Sequence, residues 1–161
     1  MAFVLRWFVL LCGIIGLESS RTIDNKKADN SCPKGWTQLN DRCFIFQDYP
    51  RAFADAESVC NILGGNLVSI DSALEYAVVL QVVQDGTSDP SADVWIGLHR
   101  GLGDNLFFWT DGSDVGFTAF NANTNPGNCV EIEDDDLRWD TDLCSLANRF
   151  VCARDVKKCG H

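Results

Sequence analysis

The sequence predicts a single α+β domain with two helices, short antiparallel sheets, a long loop region and three disulfides within the domain. Apolar residues recur at helical spacing early in the chain, and short runs of β-branched and aromatic residues follow later. Six cysteines are interleaved with these segments, as in a secreted, cross-linked domain. They are Cys32, Cys43, Cys60, Cys129, Cys144 and Cys152.

The N-terminus has the pattern of a signal peptide over residues 1–20. Arg6 precedes an apolar stretch over residues 7–17, which is shorter than the roughly 20 residues that a membrane-spanning helix needs. We therefore expect cleavage between residues 18 and 21 and a secreted, extracellular, soluble protein. A polar arm follows over residues 21–31, then one domain over residues 32–154 and a tail over residues 155–161.

The net charge of −10 argues against two classes of partner. Nucleic acid and anionic membrane surfaces attract clustered Lys and Arg, which this chain lacks, so we expect no nucleic-acid binding and no membrane insertion. An enzyme is not expected either, because the sequence has no nucleophile elbow, phosphate-binding loop or His-Glu-x-x-His helix. A binding module is the default interpretation.

The number of cysteines leaves one thiol over. Cys12 lies in the predicted signal peptide, so seven of the eight cysteines belong to the secreted chain. Cys159, close to the C-terminus, is the natural candidate for the odd thiol. Two interpretations stay open for it: a free or capped thiol, or a bridge that joins two copies into a disulfide-linked homodimer.

The first elements of the domain are expected to be a hairpin and a helix. Residues 32–36 and 42–46 read as two strands around an Asn40-Asp41 turn. Apolar residues at steps of three and four then predict a helix over residues 52–63. That periodicity places Cys60 on the buried face of the helix.

A second helix and the remaining strands follow. Asp71-Ser72 has the character of a helix cap, and the helix is expected to extend through Gln81. The stretch over residues 110–128 is loop-like, and such a long irregular segment inside a compact domain is usually functional. Strands are expected over residues 95–98, 106–109, 129–132 and 149–153.

Several motifs stand in a definite order along the domain. They are Cys32-Pro33-Lys34-Gly35-Trp36, Gly64-Gly65-Asn66-Leu67-Val68-Ser69-Ile70, Trp95-Ile96-Gly97-Leu98, Trp109-Thr110-Asp111-Gly112-Ser113 and the last three domain cysteines. In this order they resemble a C-type lectin-like domain over residues 32–154. The small secreted form is similar to fish lectins, fish venom lectins and type II antifreeze proteins. The resemblance implies the disulfides Cys32–Cys43, Cys60–Cys152 and Cys129–Cys144.

The resemblance also implies a sugar site built around a calcium ion, whose oxygen ligands bind the hydroxyls of the sugar as well. Asn125 and Asp140 are the candidate metal ligands. Gly127 and Thr141 stand at two further ligand positions without a carboxylate or an amide, so calcium is a candidate cofactor with an incomplete ligand set. A cis bond before Pro126 is implied too. The candidate ligand-binding residues are Asn125, Pro126, Asn128, Glu131 and Asp140.

An acidic segment surrounds Asp140, and only Arg138 offsets it. Two interpretations stay open. A cation could relieve the self-repulsion, which would make a displaced calcium site, or the segment is a solvated acidic loop, as such runs usually are. The acidic residues are Glu131, Glu133, Asp134, Asp135, Asp136, Asp140 and Asp142.

The tryptophans and Phe120 are interpreted as core residues, and no metal-binding or catalytic role is assigned to the histidines. Large apolar rings hold a small domain together, so packing is the expected role of the tryptophans and of Phe120. Neither His99 nor His161 lies beside a metal-binding or catalytic motif. The tryptophans concerned are Trp36, Trp95, Trp109 and Trp139.

The predicted function is that of a secreted carbohydrate-binding protein in innate defence or venom. It would recognise a glycan or cell-surface glycoconjugate through residues 118–128 and 131–142, with or without calcium. The alternative is a non-sugar binder on the same fold. This could be an ice-binding protein that uses Thr118, Thr124, Thr141 and the Asn-rich loop, or a dimer joined through Cys159 that binds a protein target.

Overall fold

The structure is a computed structural model that describes residues 31–103, 106–122 and 124–157. The predicted signal peptide, nearly all of the polar arm, and Cys159 with its proposed interchain bridge lie outside the described residues. Within the described ranges, no helix has the length and apolar character needed to cross a membrane.

In the described part of the chain, two helices pack against one eight-stranded sheet. In order along the sheet the strands run β1, β2, β8, β4, β6, β7, with β3 paired to β8 and β5 paired to β4. The sheet is mixed, because β4 and β8 run parallel while all the other described pairs are antiparallel. The elements are β1 Thr37–Leu39, β2 Arg42–Arg51, α1 Phe53–Ile62, β3 Asn66–Leu67, α2 Ala73–Gly86, β4 Val94–Arg100, β5 Phe107–Trp109, β6 Cys129–Ile132, β7 Trp139–Asp142 and β8 Asn148–Asp155.

Both predicted helices are confirmed, and their apolar faces meet the sheet. In α1 the buried residues include Ala56 and Cys60, as the periodicity predicts. Ser72 caps α2, since its side chain accepts a hydrogen bond from the Glu75 backbone N–H at 3.2 Å. The helix extends beyond Gln81 to Gly86, where a Cβ atom would lie 2.9 Å from the Phe46 ring, so a larger residue would require this ring to shift.

One strand prediction was wrong, and strand β7 was not predicted. The first strand is Thr37–Leu39 rather than residues 32–36, because the chain turns at the start of the domain: Trp36 donates its N–H to the Pro33 carbonyl at 3.1 Å, and Gly35 has a φ of +88°. Strand β7 was not predicted because it lies inside the acidic segment, whose charged residues are not typical of a strand. Its first three residues are buried.

The tryptophans form the core, as the sequence predicts. Trp95, Trp109 and Trp139 are almost fully buried, and Trp36 is half-buried. Phe120 packs edge-on against Trp139 with ring centroids 5.6 Å apart, which confirms its packing role. This contact anchors the long loop over the sheet.

All six cysteines of the described domain are paired as the resemblance implies. The bridges are Cys32–Cys43, Cys60–Cys152 and Cys129–Cys144. The Cys60–Cys152 bridge spans 92 residues and joins α1 to β8, which is worth about 4–5 kcal/mol in the chain-entropy account. The Cys129–Cys144 bridge ties the start of β6 to the segment that follows β7, and so it fixes the frame of the candidate site.

Candidate functional site

The structure brings Asn125 and Asp140 into direct contact. The Asn125 backbone N–H donates to Oδ1 of Asp140 at 2.6 Å, and the Asn125 side-chain amide donates to Oδ2 at 2.5 Å. The two residues are 15 positions apart in the chain, so only the fold makes them neighbours. Asn125 is exposed on the loop, while Asp140 lies beneath it at 2% exposure.

Strand β7 supplies the rest of this contact. The Thr141 backbone N–H is the third donor to the Asp140 carboxylate and bonds to Oδ1 at 2.7 Å. The Thr141 hydroxyl donates to the Asn125 carbonyl, and its side chain is fully buried. The buried carboxylate therefore accepts three N–H groups of the protein, so its oxygens have hydrogen-bond partners although water does not reach them.

The loop after Asn125 is pressed against the backbone of β7. A Cβ atom on Gly127 would lie well under 3.0 Å from backbone atoms of Asp142. Asn128 donates its N–H to the Asp142 carbonyl at 3.2 Å, and its own carbonyl accepts the Arg100 N–H at 2.7 Å. Pro126 and Asn128 are exposed on this short connection, and the bond before Pro126 is trans, which corrects the implied cis bond.

Glu131 lies inside the sheet rather than on its surface. It faces Asp140 across the β6–β7 ladder, is 2% exposed, and accepts a hydrogen bond from the Asn148 amide. Burial, together with the negative charges of Asp93 and Asp142, raises the pKa of Glu131 from 4.5 to about 8. A glycan at the surface would not touch this carboxylate.

Asn121 and Glu133 form a second amide–carboxylate pair beside the first. The Asn121 amide donates to Oε2 of Glu133 at 2.5 Å, and its backbone N–H donates to the Trp139 carbonyl at 2.9 Å. Burial, followed by the negative charge of Asp140, raises the pKa of Glu133 above its ordinary range. The sequence did not single out Asn121, and the nearest signal for it was only that an Asn-rich loop precedes the acidic segment.

The tip of the β6–β7 hairpin carries the densest negative charge. Carboxylate oxygens of Glu133, Asp135 and Asp136 lie within 4.8 Å of one another, and both aspartates are exposed. Exposed acidic groups often cluster in this way without a metal. This geometry agrees with a solvated acidic loop. A cation bound here instead of at the family's site would have these three carboxylates as protein ligands.

The model of the Lectin C-type domain family matches residues 49–154. The chain belongs to this C-type lectin domain family. The galactose-specific lectin nattectin of Thalassophryne nattereri is 29% identical over 154 residues, which covers 92% of this chain and 94% of nattectin. Ladderlectin of Oncorhynchus mykiss is 36% identical over 121 residues, covering 71% of this chain and 63% of ladderlectin.

Solved structures of the C-type lectin fold superpose well on this chain. Human lithostathine gives a TM-score of 0.71 at 30% identity, covering 77% of this chain and 99% of lithostathine. A herring type II antifreeze protein gives the same TM-score of 0.71 at 26% identity, covering 78% and 100%. The predicted fold class and family are thereby confirmed.

Four observations show that the residues of this C-type lectin domain do not fit a calcium ion at the family's sugar site. Both oxygens of Asp140 already accept N–H groups, and Asn125 turns its amide nitrogen toward them. The Thr141 hydroxyl is committed to the Asn125 carbonyl. Gly127 has no side chain that could bind calcium, and the Asp142 backbone leaves no room for one. Calcium takes six to eight oxygen ligands, and this cluster cannot supply them.

The threonines proposed for an ice-binding surface do not share one surface. Thr118 and Thr124 are exposed, whereas Thr141 is fully buried in β7. Including Thr141 in such a surface was wrong, because the strand buries its hydroxyl against the Asn125 carbonyl. His99 is half-buried and lies 6.1 Å from the Phe53 ring, centroid to centroid. His161 lies outside the described residues.

Proposed function

We propose that the protein is a secreted carbohydrate-binding member of the C-type lectin family that recognises its glycan without calcium. The observation that carries the proposal is the direct bonding of Asn125 to Asp140. In this arrangement protein hydrogen bonds hold the loop in place, so the exposed surface needs no ion to be ordered. Loop residues 118–128 would supply the sugar contacts.

The exposed loop offers the chemistry that sugar hydroxyls need. Each hydroxyl both donates and accepts hydrogen bonds, and the loop presents hydroxyl and amide groups of both kinds. The Asn125 side-chain nitrogen donates to Asp140, and this hydrogen bond fixes the orientation of the side-chain oxygen Oδ1. The exposed polar side chains are Thr118, Thr124, Asn125 and Asn128. That nattectin is a galactose-specific lectin supports sugar as the ligand class.

The proposed role in the organism is extracellular. Three disulfides suit an oxidising compartment, in agreement with the predicted signal peptide and an extracellular site of action. Binding rather than catalysis is the proposed activity. Innate defence or venom is the proposed setting, with a glycan or cell-surface glycoconjugate as the target.

Affinity chromatography tests the proposal with the mature, oxidised protein. The protein is passed over immobilised galactose and mannose, once in calcium buffer and once in chelator. We expect retention on one sugar that chelator does not release. Asn125→Ala and Thr124→Ala should each weaken retention, while Thr37→Ala, an exposed threonine in β1 outside the loop, should not.

Three results would count against the proposal. Release by chelator would show that a cation is required and would favour a displaced site at Glu133, Asp135 and Asp136. Flow-through on both sugars, followed by no binding across a broad glycan array, would refute carbohydrate recognition. Thermal hysteresis of ice growth in the same preparation would favour the ice-binding alternative.

A further inference from the structure

A groove of about 370 Å³ lies between α2 and the β6–β7 hairpin. It is separate from the contact of Asn125 with Asp140, since neither residue lines it. Its volume falls at the lower end of the range of about 300–1,000 Å³ for ligand pockets. The residues that line it include Leu80, Val94, Ile132, Glu133, Asp134 and Leu137.

The walls of the groove are mostly apolar. Val94 and Ile132 are each 3% exposed and form a floor that belongs to the sheet. Leu137 stands at the edge with 49% of its surface exposed, in a left-handed conformation with φ of 57°. The Tyr76 hydroxyl donates to the Leu137 carbonyl, so α2 holds this edge in place. The groove therefore has fixed walls that can receive an apolar side chain.

The rim of the groove carries charge of one sign. Glu133 and Asp134 are the charged residues among those that line it, and no described lining residue is basic. Asp135 and Asp136 continue the negative rim, and Arg138 is the only basic residue between positions 133 and 138. Asp93 adds to this field, because its carboxylate accepts the Asp134 N–H at 3.1 Å. An apolar floor under an acidic rim favours a cationic, amphipathic ligand.

We propose that this groove is a docking site for a basic, amphipathic peptide segment of a partner protein. An apolar side chain of the partner lies on Val94 and Ile132, and neighbouring Lys or Arg side chains face Glu133 and Asp134. A second copy of this chain is a poor occupant because each copy carries a net charge of −10. Anionic lipid is repelled by the same rim.

Fluorescence anisotropy tests the proposal with the mature, oxidised protein. The probe is a short labelled peptide that alternates lysine and leucine. One comparison peptide has glutamate in place of lysine, and another has serine in place of leucine. We expect binding of the lysine–leucine peptide that weakens as salt rises, and at least tenfold weaker binding of both comparison peptides. Equal binding of the glutamate peptide would overturn the proposal.

Two surface variants localise the binding. Asp134→Asn removes one rim charge and should weaken binding about two- to fivefold at low salt, while Leu137→Ser should weaken it at any salt concentration. Asp114→Asn removes the same charge from an exposed residue of the long loop and is the matched control. Amide shifts in NMR spectra should cluster in α2 and residues 132–138. If both groove variants bind like the control, or the shifts lie elsewhere, this groove is not the docking site.

Discussion

Replacing Gly127 by Asn would place an amide side chain at a position where the resemblance implies a calcium ligand. We expect it to destabilise the protein instead of creating a calcium site. A Cβ atom there would lie well under 3.0 Å from backbone atoms of Asp142, so the loop or β7 has to move. Overpacking of this kind costs about 1–3 kcal/mol, and loss of the Asn128 N–H bond to Asp142 adds about 1 kcal/mol.

The expected total is about 2–4 kcal/mol, which lowers the melting temperature by roughly 10 °C in a domain of this size. Thermal unfolding followed by near-ultraviolet circular dichroism, with and without calcium, measures it. Gly116→Asn is the matched control, because Gly116 has an ordinary φ and no atom within 4 Å of the added Cβ. The reasoning is refuted if Gly127→Asn melts like the control, or if calcium raises its melting temperature.

Three further predictions concern Asp140, Glu131 and the Cys60–Cys152 disulfide. Asp140→Ala leaves three N–H donors without their acceptor, so the free energy of unfolding should drop by about 3 kcal/mol in urea; an unchanged midpoint would contradict the hydrogen-bonded cluster. The raised pKa of Glu131, about 8 against 4.5, means that its stabilising contribution is complete below about pH 4.5 and is lost as pH rises through 8. Glu131→Gln should therefore flatten the fall in urea midpoint between pH 5 and pH 8, and an equally steep fall would contradict the assignment. Replacing Cys60 and Cys152 together by Ser should cost about 4–5 kcal/mol, measured by thermal unfolding, and a loss below 1 kcal/mol would contradict the role of this bridge.

Elements with a local signal were predictable from the sequence. The spacing of Ala56 and Cys60 indicates α1, and Ser72 with Glu75 marks the start of α2. The disulfide pairing came from the resemblance and is confirmed. Strand β7 was missed because a buried Asp140 contradicts the alternation expected of a strand. Its burial is tolerable because Asn125 of the loop and Thr141 of the strand donate hydrogen bonds to it.

The candidate site was predictable in part. The sequence identified Asn125 and Asp140 as a pair through the resemblance, but it could not show that they bond to each other and leave little room for an ion. The sequence shows that Gly127 lacks a side chain, but only the folded structure shows that the Asp142 backbone lies close to it. Asn121 and Glu133 are 12 residues apart and meet only through the fold, so no local pattern revealed them.

The central claim is glycan recognition without calcium. Titration calorimetry with the sugar that retains the protein, first in calcium and then after exhaustive chelation, tests it most directly. Equal dissociation constants within about twofold are expected, because hydrogen bonds between Asn125, Asp140 and Thr141 hold the loop in place of an ion. A loss of affinity of tenfold or more on chelation, restored by adding calcium back, would contradict the account.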